Sequence, residues 1–323
     1  MKIQRVTFLG VRGVGDATLD LTAHGAQRTQ GTHRTQGMQG TQRAGEPHDT
    51  VVITGPSASG KTRMLEALVA AKEAIGPYGL PPVGEPWIGA GSAAKIVLTF
   101  HLDAAERDYA GTSSPTLEAE VIFGPERARS EASEGLRAVL DRYSHDPAQG
   151  KLEYFPASRR VPPHAPFAGL GTTEQRLGRA GKDPRKYSFV VSLLRALEHD
   201  KPRAAGFAAR LEALSPTCRY LPGSTDVIPR CFSSRGGPAA TVTELADGEA
   251  DAVIFAATAV TVGLDRSIVL IDRPDLHLDD PAHLLGGLAA LGQHNQLFLT
   301  AGPALAAAAA AAGVAQVVTL KGA

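Results

Sequence analysis

Residues 51–62, Val51-Val52-Ile53-Thr54-Gly55-Pro56-Ser57-Ala58-Ser59-Gly60-Lys61-Thr62, constrain the chain more than any other stretch. A short apolar run feeds a glycine-rich turn that fits G-x-x-x-x-G-K-[ST]. The spacing has a mechanical reason. Glycine lets the backbone curl so that successive N–H groups converge on phosphate oxygens. The lysine then reaches the β- and γ-phosphates, and the hydroxyl after it takes a Mg²⁺ position. The flanks agree with this reading: Val51 to Thr54 has the pattern of a buried parallel strand, and Arg63 to Ala74 that of a helix with Met64, Leu65, Leu68 and Val69 on one face. Such a helix turns its N-terminal dipole toward an anion. Gly55, Pro56, Ser57, Ala58, Ser59, Gly60, Lys61 and Thr62 are therefore the candidate nucleotide contacts, and Thr62 is also a candidate metal ligand.

At 323 residues and 43% hydrophobic content, the chain can build one large domain or two small ones around a real core. Its 33 basic residues balance 33 acidic ones, so no whole-chain field draws it to nucleic acid or to an anionic membrane. Cys218 and Cys231 are the only cysteines and imply no disulfide framework. The start, Met1-Lys2-Ile3-Gln4-Arg5-Val6, has no signal-peptide apolar stretch, and no 18-residue apolar run could span a bilayer; the expectation is a soluble, cytoplasmic protein.

Along the chain, Ile3 to Leu9 and Ala17 to Leu21 read as strands around a glycine-rich turn. Residues 24–45 are near-repeats with one Met and no other large apolar side chain, the composition of a flexible surface insertion. Lys95 to His101 and Leu117 to Phe123 read as strands, Glu131 to Tyr143 and Tyr187 to Leu214 as helices. Between those helices lies Leu152 to Arg160, a strand ending on two arginines. Arg176 to Lys186 carries five basic residues against Asp183; it is either a patch that meets phosphates or a solvated loop, and for base stacking only Tyr187 is near. From residue 241 onward, helices at Ala250 to Val262, Leu284 to Leu291 and Pro303 to Ala312 alternate with strands at Ser267 to Asp272, Gln296 to Thr300 and Val314 to Leu320. That alternation predicts a parallel sheet flanked by helices.

A phosphate loop needs an acid at the end of a neighbouring strand, and Ser267-Ile268-Val269-Leu270-Ile271-Asp272 supplies one. Around it a resemblance becomes specific. Leu245-Ala246-Asp247-Gly248-Glu249 resembles the L-S-x-G-E signature of ABC-type P-loop ATPases, and Leu270-Ile271-Asp272-Arg273-Pro274-Asp275-Leu276-His277-Leu278 resembles their L-I-D-E-P-E-x-x-L. Thr300-Ala301-Gly302-Pro303 falls where a T-H-S-P switch is expected, and Val11-Arg12-Gly13 resembles F-R-G-F. Order and spacing are similar to the SMC/RecF branch, including the ATPase half of OLD-family nucleases. The resemblance implies a single α/β ABC-type head over residues 1–323: a mixed β N-terminal lobe at 1–123, an inserted helical lid at 124–240, and a C-terminal lobe at 241–323 with a helix-flanked parallel sheet. It implies ATP and Mg²⁺ as ligands, Thr62 and Asp272 on the metal, and Arg12, Asp247, Gly248 and Glu249 as further nucleotide contacts. It also implies self-association, or association with an ABC-type partner, around sandwiched ATP, with Gly248 of one protomer capping the γ-phosphate held by Lys61 of the other.

The departures are as informative. Arg273 occupies the position of the glutamate that orients or deprotonates the attacking water, and Ala301 that of the switch histidine, so no catalytic residue is assigned. Gln149 and Gln175 are the only glutamines between the first helix and the signature, and neither sits in a clear Q-loop position. No heptads predict a coiled-coil arm. No acidic nuclease-like cluster follows Leu320, so effector chemistry is expected from a separate protein. Two functions follow: an ATP-binding subunit that switches by association with weak or absent hydrolysis, or an active ATPase in a DNA-related or defence complex that uses Asp275 or another acid as base. A phosphotransferase of a different P-loop fold is a third, which the signature-to-strand order opposes.

Overall fold

The computed structural model describes residues 1–23, 45–78, 82–142, 149–162, 178–224, 226, 228–277 and 280–321. Its centre is a five-stranded parallel sheet in the order β13-β3-β12-β11-β7, with β3 at Thr50–Thr54, β7 at Leu152–Phe155, β11 at Ile268–Ile271, β12 at Gln296–Thr300 and β13 at Gln316–Thr319. All residues of β7, β11 and β12 are buried, which accounts for the unbroken apolar runs in the sequence. Successive side chains serve opposite faces. Val52, Phe155, Val269, Ile271, Leu297 and Leu299 enter one core; Val51, Ile53, Tyr154, Ile268, Leu270 and Phe298 enter another.

The second core is closed by an antiparallel sheet, β2-β1-β4-β5-β6. Its strands are β1 (Lys2–Val11), β2 (Gly15–Asp20), β4 (Ala94–His101), β5 (Thr116–Phe123) and β6 (Ala128–Ala132). Helix α1 (Lys61–Ile75) lies between the sheets: its Met64, Leu65, Leu68 and Ile75 share a core with Phe8, Ile96 and Val121 on one side and Phe298 on the other. The sheets are also tied directly. The fully buried Gln296 side chain accepts from the Ile3 N–H at 2.6 Å and donates to the Ile3 carbonyl at 2.8 Å.

The first core is closed by helices α4 (Phe189–Leu197), α5 (Lys201–Leu214), α6 (Asp247–Val262), α7 (Pro281–Ala289) and α8 (Pro303–Ala312). A small sheet of β8 (Cys218–Tyr220), β9 (Phe232–Ser234) and β10 (Ala239–Ala240) packs with them. Two short helices, α2 (Ala104–Ala110) and α3 (Glu134–Asp141), flank the antiparallel sheet.

Two expectations change. The helix read from Glu131 begins only at Glu134, because Ser133 caps it by accepting the Leu136 N–H at 3.2 Å while residues 128–132 pair with β5. The single helix read over Tyr187 to Leu214 breaks before Lys201: Asp200 accepts the Arg203 N–H at 3.0 Å and Pro202 sits in the first turn, where its missing N–H has no cost. Range 124–240 supplies β6 to the antiparallel sheet and β7 to the parallel one, with α3 between them and α4 and α5 after them. The insertion read at 24–45 lies outside the described residues except for Gly45, whose N–H donates to the Ala23 carbonyl at 3.1 Å. Among the described residues, no helix is long and apolar enough to cross a membrane.

Candidate functional site

The phosphate loop runs from the C-terminal end of β3 to the start of α1. Gly55 and Gly60 both have positive φ, +146° and +89°. Packing forbids a side chain as firmly as conformation does: a Cβ on Gly60 would lie 2.0 Å from the Gly13 carbonyl oxygen, and one on Gly55 would lie 2.6 Å from that of Leu320. The Lys61 ammonium folds over the loop, donating to the carbonyls of Gly55 at 2.9 Å and Pro56 at 2.6 Å. The Gly13–Gly60 approach brings the β1–β2 turn against the loop and so places Arg12 at its rim. There Arg12 Nε donates to the Ile88 carbonyl at 2.8 Å, and its own carbonyl accepts from Arg63 Nε at 3.2 Å. Arg63 in turn stacks over the Trp87 ring, 3.8 Å from the centroid.

The acid expected beside the loop is there. In the parallel register, Ile271 lies beside Leu299, so Asp272 follows next to Thr300. The buried Asp272 carboxylate accepts from Thr62 Oγ1 at 3.0 Å across 210 residues of chain, and Thr300 Oγ1 donates to the same oxygen. Two hydroxyls and a carboxylate are the hard oxygen donors that suit Mg²⁺.

Beyond Asp272 the chain turns sharply. Arg273 has φ +50°, a left-handed conformation that costs a non-glycine residue about 1–2 kcal/mol. The turn is held on three sides. The Arg273 N–H donates to Thr300 Oγ1 at 2.8 Å, its carbonyl accepts from Arg159 Nη2 at 3.1 Å, and its Nε donates to Asp275 Oδ1 at 3.1 Å. Asp275 uses its other oxygen for the Gly302 N–H, at 2.7 Å. Ala301, fully buried, donates its N–H to the Ile53 carbonyl at 2.9 Å. The structure thus unites positions 273 and 301 beside the phosphate loop and offers neither a carboxylate nor an imidazole at them.

The signature residues open α6. Glu249 is turned inward, accepting from Ser234 Oγ at 2.6 Å and Thr217 Oγ1 at 3.2 Å. Asp247 is exposed, with His277 Nδ1 3.9 Å away. Ala246, Gly248 and Glu249 share a cavity of about 540 Å³ with Thr217, Arg235 and His277.

Sequence reasoning missed what joins these parts. Arg159, one of the two arginines after β7, has a buried guanidinium that donates to the Pro156 carbonyl at 2.8 Å, the Asp272 carbonyl at 2.7 Å and Asp251 Oδ2 of α6 at 2.7 Å. Burial pushes the Asp251 carboxyl above the usual carboxylate range, and Arg159 pulls it back. The two arginines at the end of the stretch read as a strand were the visible signal; the partner of Arg159, Asp251, on a helix read only from the alternation of elements, carried none.

The described residues of the basic stretch at 176–186 divide between buried and exposed. Arg179 and Lys186 are buried and form no part of a solvated face. Arg179 pairs with Glu153 of β7 at 3.0 Å, and Lys186 donates to the Arg179 carbonyl at 3.2 Å. Burial lowers Lys186 to about 8 and raises Glu153 against the pull of Arg179. Of the described basic residues in that stretch only Lys182 and Arg185 are exposed, and each is paired, with Glu66 and Asp183.

No protein-family model matches the sequence, and no curated protein does. Solved structures do. An SMC head bound to the C-winged-helix domain of ScpA aligns over 95% of this chain and 92% of its own, with 14% identity and a TM-score of 0.53. An SMC head domain with an extended coiled coil, bound to the C-terminal domain of ScpA and derived from Pyrococcus furiosus, aligns over 94% and 90%, with 12% identity and a TM-score of 0.51. The recombination mediator RecF with ATP aligns over 93% and 91% at 10% identity, but its TM-score of 0.44 is too low to build on. The chain has the α/β fold of an SMC-type head, antiparallel N-terminal sheet and helix-flanked parallel sheet included.

Proposed function

We propose that the chain is an ATP-binding ABC-type subunit of the SMC/RecF/OLD-like kind that switches by ATP-dependent association, with weak or absent hydrolysis, and works through a partner protein. One observation carries this reading: Thr62 of the phosphate loop and Asp272 of the distant strand share a hydrogen bond at 3.0 Å, and the residue after Asp272 is an arginine. Lys61, the loop N–H groups and the N-terminus of α1 would hold the triphosphate. Thr62 and Asp272 would hold Mg²⁺, which when bound would offset phosphate charge. Arg12 stands at the rim of the same loop.

Weak hydrolysis follows from the corner. Arginine cannot deprotonate near neutral pH and so cannot act as a base. Asp275, the alternative acid, has both oxygens engaged, with Arg273 and Gly302. Loss of a water-positioning base costs typically ~10²–10⁴-fold in rate. Association is supported by the outward placement of Asp247 and by Leu276, 46% exposed on the turn after Asp275. Both SMC heads of like fold are bound to ScpA, and a partner protein held on this head belongs to the same reading. With Arg179 and Lys186 buried, and Lys182 and Arg185 paired with Glu66 and Asp183, the basic stretch gives nucleic-acid contact no support.

Sedimentation with and without saturating ATP and Mg²⁺, beside a fluorescent-ATP titration, tests this. The wild type should bind ATP and shift to a larger species, alone or with a partner co-purified from the native host. Gly248→Trp should bind ATP yet stay small. A protein that stays monomeric with ATP, and recruits no partner, overturns the sandwich. A turnover of ~10 s⁻¹, the median for enzymes, would put the active-ATPase reading in its place.

A further inference from the structure

Arg159 touches three parts of the molecule that the proposed function needs to act together. Its guanidinium, fully buried as a side chain, donates from Nη1 to the Asp272 carbonyl and from Nη2 both to the Arg273 carbonyl and to Asp251 on the second turn of α6. The Pro156 carbonyl fixes it to the end of β7. Its ring of contacts includes the face of Phe255, one turn further along α6, with the guanidinium carbon 5.1 Å from the centroid. A planar fork of five donors holds acceptors on two separate nitrogens in one fixed geometry, whereas the three donors of a lysine all sit on a single nitrogen and cannot span the same distance.

The two carbonyls matter because of where they sit. Asp272 carries the carboxylate that receives Thr62 and Thr300, and Arg273 is the left-handed residue, φ +50°. A strained residue persists only where its surroundings over-determine it, and such residues gather at switching points. Here a ligand on Lys61, Thr62 and Asp272 would compete for the hydroxyls of Thr62 and Thr300. The Arg273 N–H also depends on Thr300 Oγ1. Any change in that turn moves the carbonyls that Arg159 holds, and Arg159 holds the signature helix two residues after Glu249.

We infer that Arg159 is a positioning residue that couples nucleotide occupancy at Asp272 to the N-terminal turns of α6 through Asp251. The inference rests on the proposed ATP binding but not on association. The left-handed turn at Arg273 is the two-state element, and Arg159 is its connection to the surface that a second protomer or partner would meet. Coupling of this kind has to be shown by a response at one site to a ligand at the other.

Hydrogen–deuterium exchange of residues 247–255, with and without ATP and Mg²⁺, reads that response at a protein concentration that keeps the chain monomeric by light scattering. In the wild type, ATP should slow exchange in this segment at least threefold. In Arg159→Lys the ATP effect should vanish, while fluorescent-ATP affinity stays within threefold and the melting temperature remains close to wild type. Lysine keeps the charge opposite Asp251, so the variant removes the bridge without leaving a buried carboxylate unpaired. If it does not fold, Asp251→Leu removes the acceptor on α6 and leaves all three carbonyl contacts of Arg159 in place. An unchanged ATP effect in the folded variant overturns the coupling, as does a wild type that binds ATP without any response in α6. Because the readout is monomeric, failure of ATP-driven association would sink the sandwich and leave this result standing.

Discussion

The phosphate loop and the Arg273 corner meet at one hydrogen bond and are built in opposite ways. The loop reaches its conformation with glycines, at φ +146° and +89°, where a side chain would collide with the Gly13 and Leu320 carbonyls. The corner reaches a left-handed conformation with an arginine, and holds it through Thr300, Asp275 and Arg159. In the first region, local sequence decides the shape. In the second, Thr300 and Arg159 from two distant segments decide it together with the neighbouring Asp275. A site can thus keep its ligand-holding half in standard residue chemistry while its reacting half is remade by tertiary contacts.

The sharpest way to break the first half is Lys61→Ala. Among the described residues its ammonium bonds only loop acceptors, the carbonyls of Gly55 and Pro56 and, at 3.5 Å, the Ser59 hydroxyl, so the fold should survive with little change in melting temperature. A charge-assisted contact to phosphate is worth about 2–3 kcal/mol, so ATP affinity should fall on the order of 100-fold. Unchanged affinity by fluorescent-ATP titration would remove the phosphate-loop assignment.

Arg273→Glu tests the other half. If the missing base limits turnover, restoring a carboxylate should raise phosphate release by roughly tenfold, less than the full ~10²–10⁴ because Ala301 still offers no imidazole and Asp275 is a like-charged neighbour. The ATP-bound assembly should become shorter-lived. A decayed site would leave both measurements where they were.

Gly60→Ala should be costly for a different reason. Left-handed strain and a Cβ 2.0 Å from the Gly13 oxygen together predict a loss of about 2–3 kcal/mol, read as a lower denaturant midpoint, along with weaker ATP binding. A midpoint equal to wild type would mean that the β1–β2 turn does not rest on the loop in solution.

These differences explain what could be read from the sequence. Gly55, Gly60, Lys61 and Thr62 announce themselves because their roles are local, and the apolar runs of β3, β11 and β12 announce a sheet buried on both faces. Asp272 was legible because an acid at the end of such a strand has few other uses. Asp251 was not, since it looks like an ordinary helix residue until Arg159 is set beside it, and Thr300 was read only as part of the switch-like stretch, not as a donor to Asp272. The basic stretch at 176–186 misled for the same reason: charge counted along the chain does not show that Arg179 and Lys186 turn inward to β7. Breaks in helices were lost where one capping side chain, Ser133 or Asp200, outweighed a favourable pattern on both sides.

Arg273→Gly should have the smallest effect on stability and separates the two designs most finely. Glycine adopts φ +50° without the arginine's strain, which favours the variant by about 1 kcal/mol. Against that, glycine adds freedom to the unfolded chain, costing roughly 0.4–1 kcal/mol. The Arg273–Asp275 pair is also lost; with Arg273 41% exposed, solvent screening leaves it worth at most about 1 kcal/mol. The backbone contacts to Thr300 and Arg159 survive, because they use the Arg273 N–H and carbonyl. The three effects nearly cancel, so the denaturant midpoint should move by less than ~1 kcal/mol, the opposite of Gly60→Ala at a comparable φ. If Arg273 serves to hold bound nucleotide, ATP release from the associated species should quicken even though the fold is untouched. A large loss of stability would instead show that the side chain, through Asp275 and Gly302, is what keeps the corner folded.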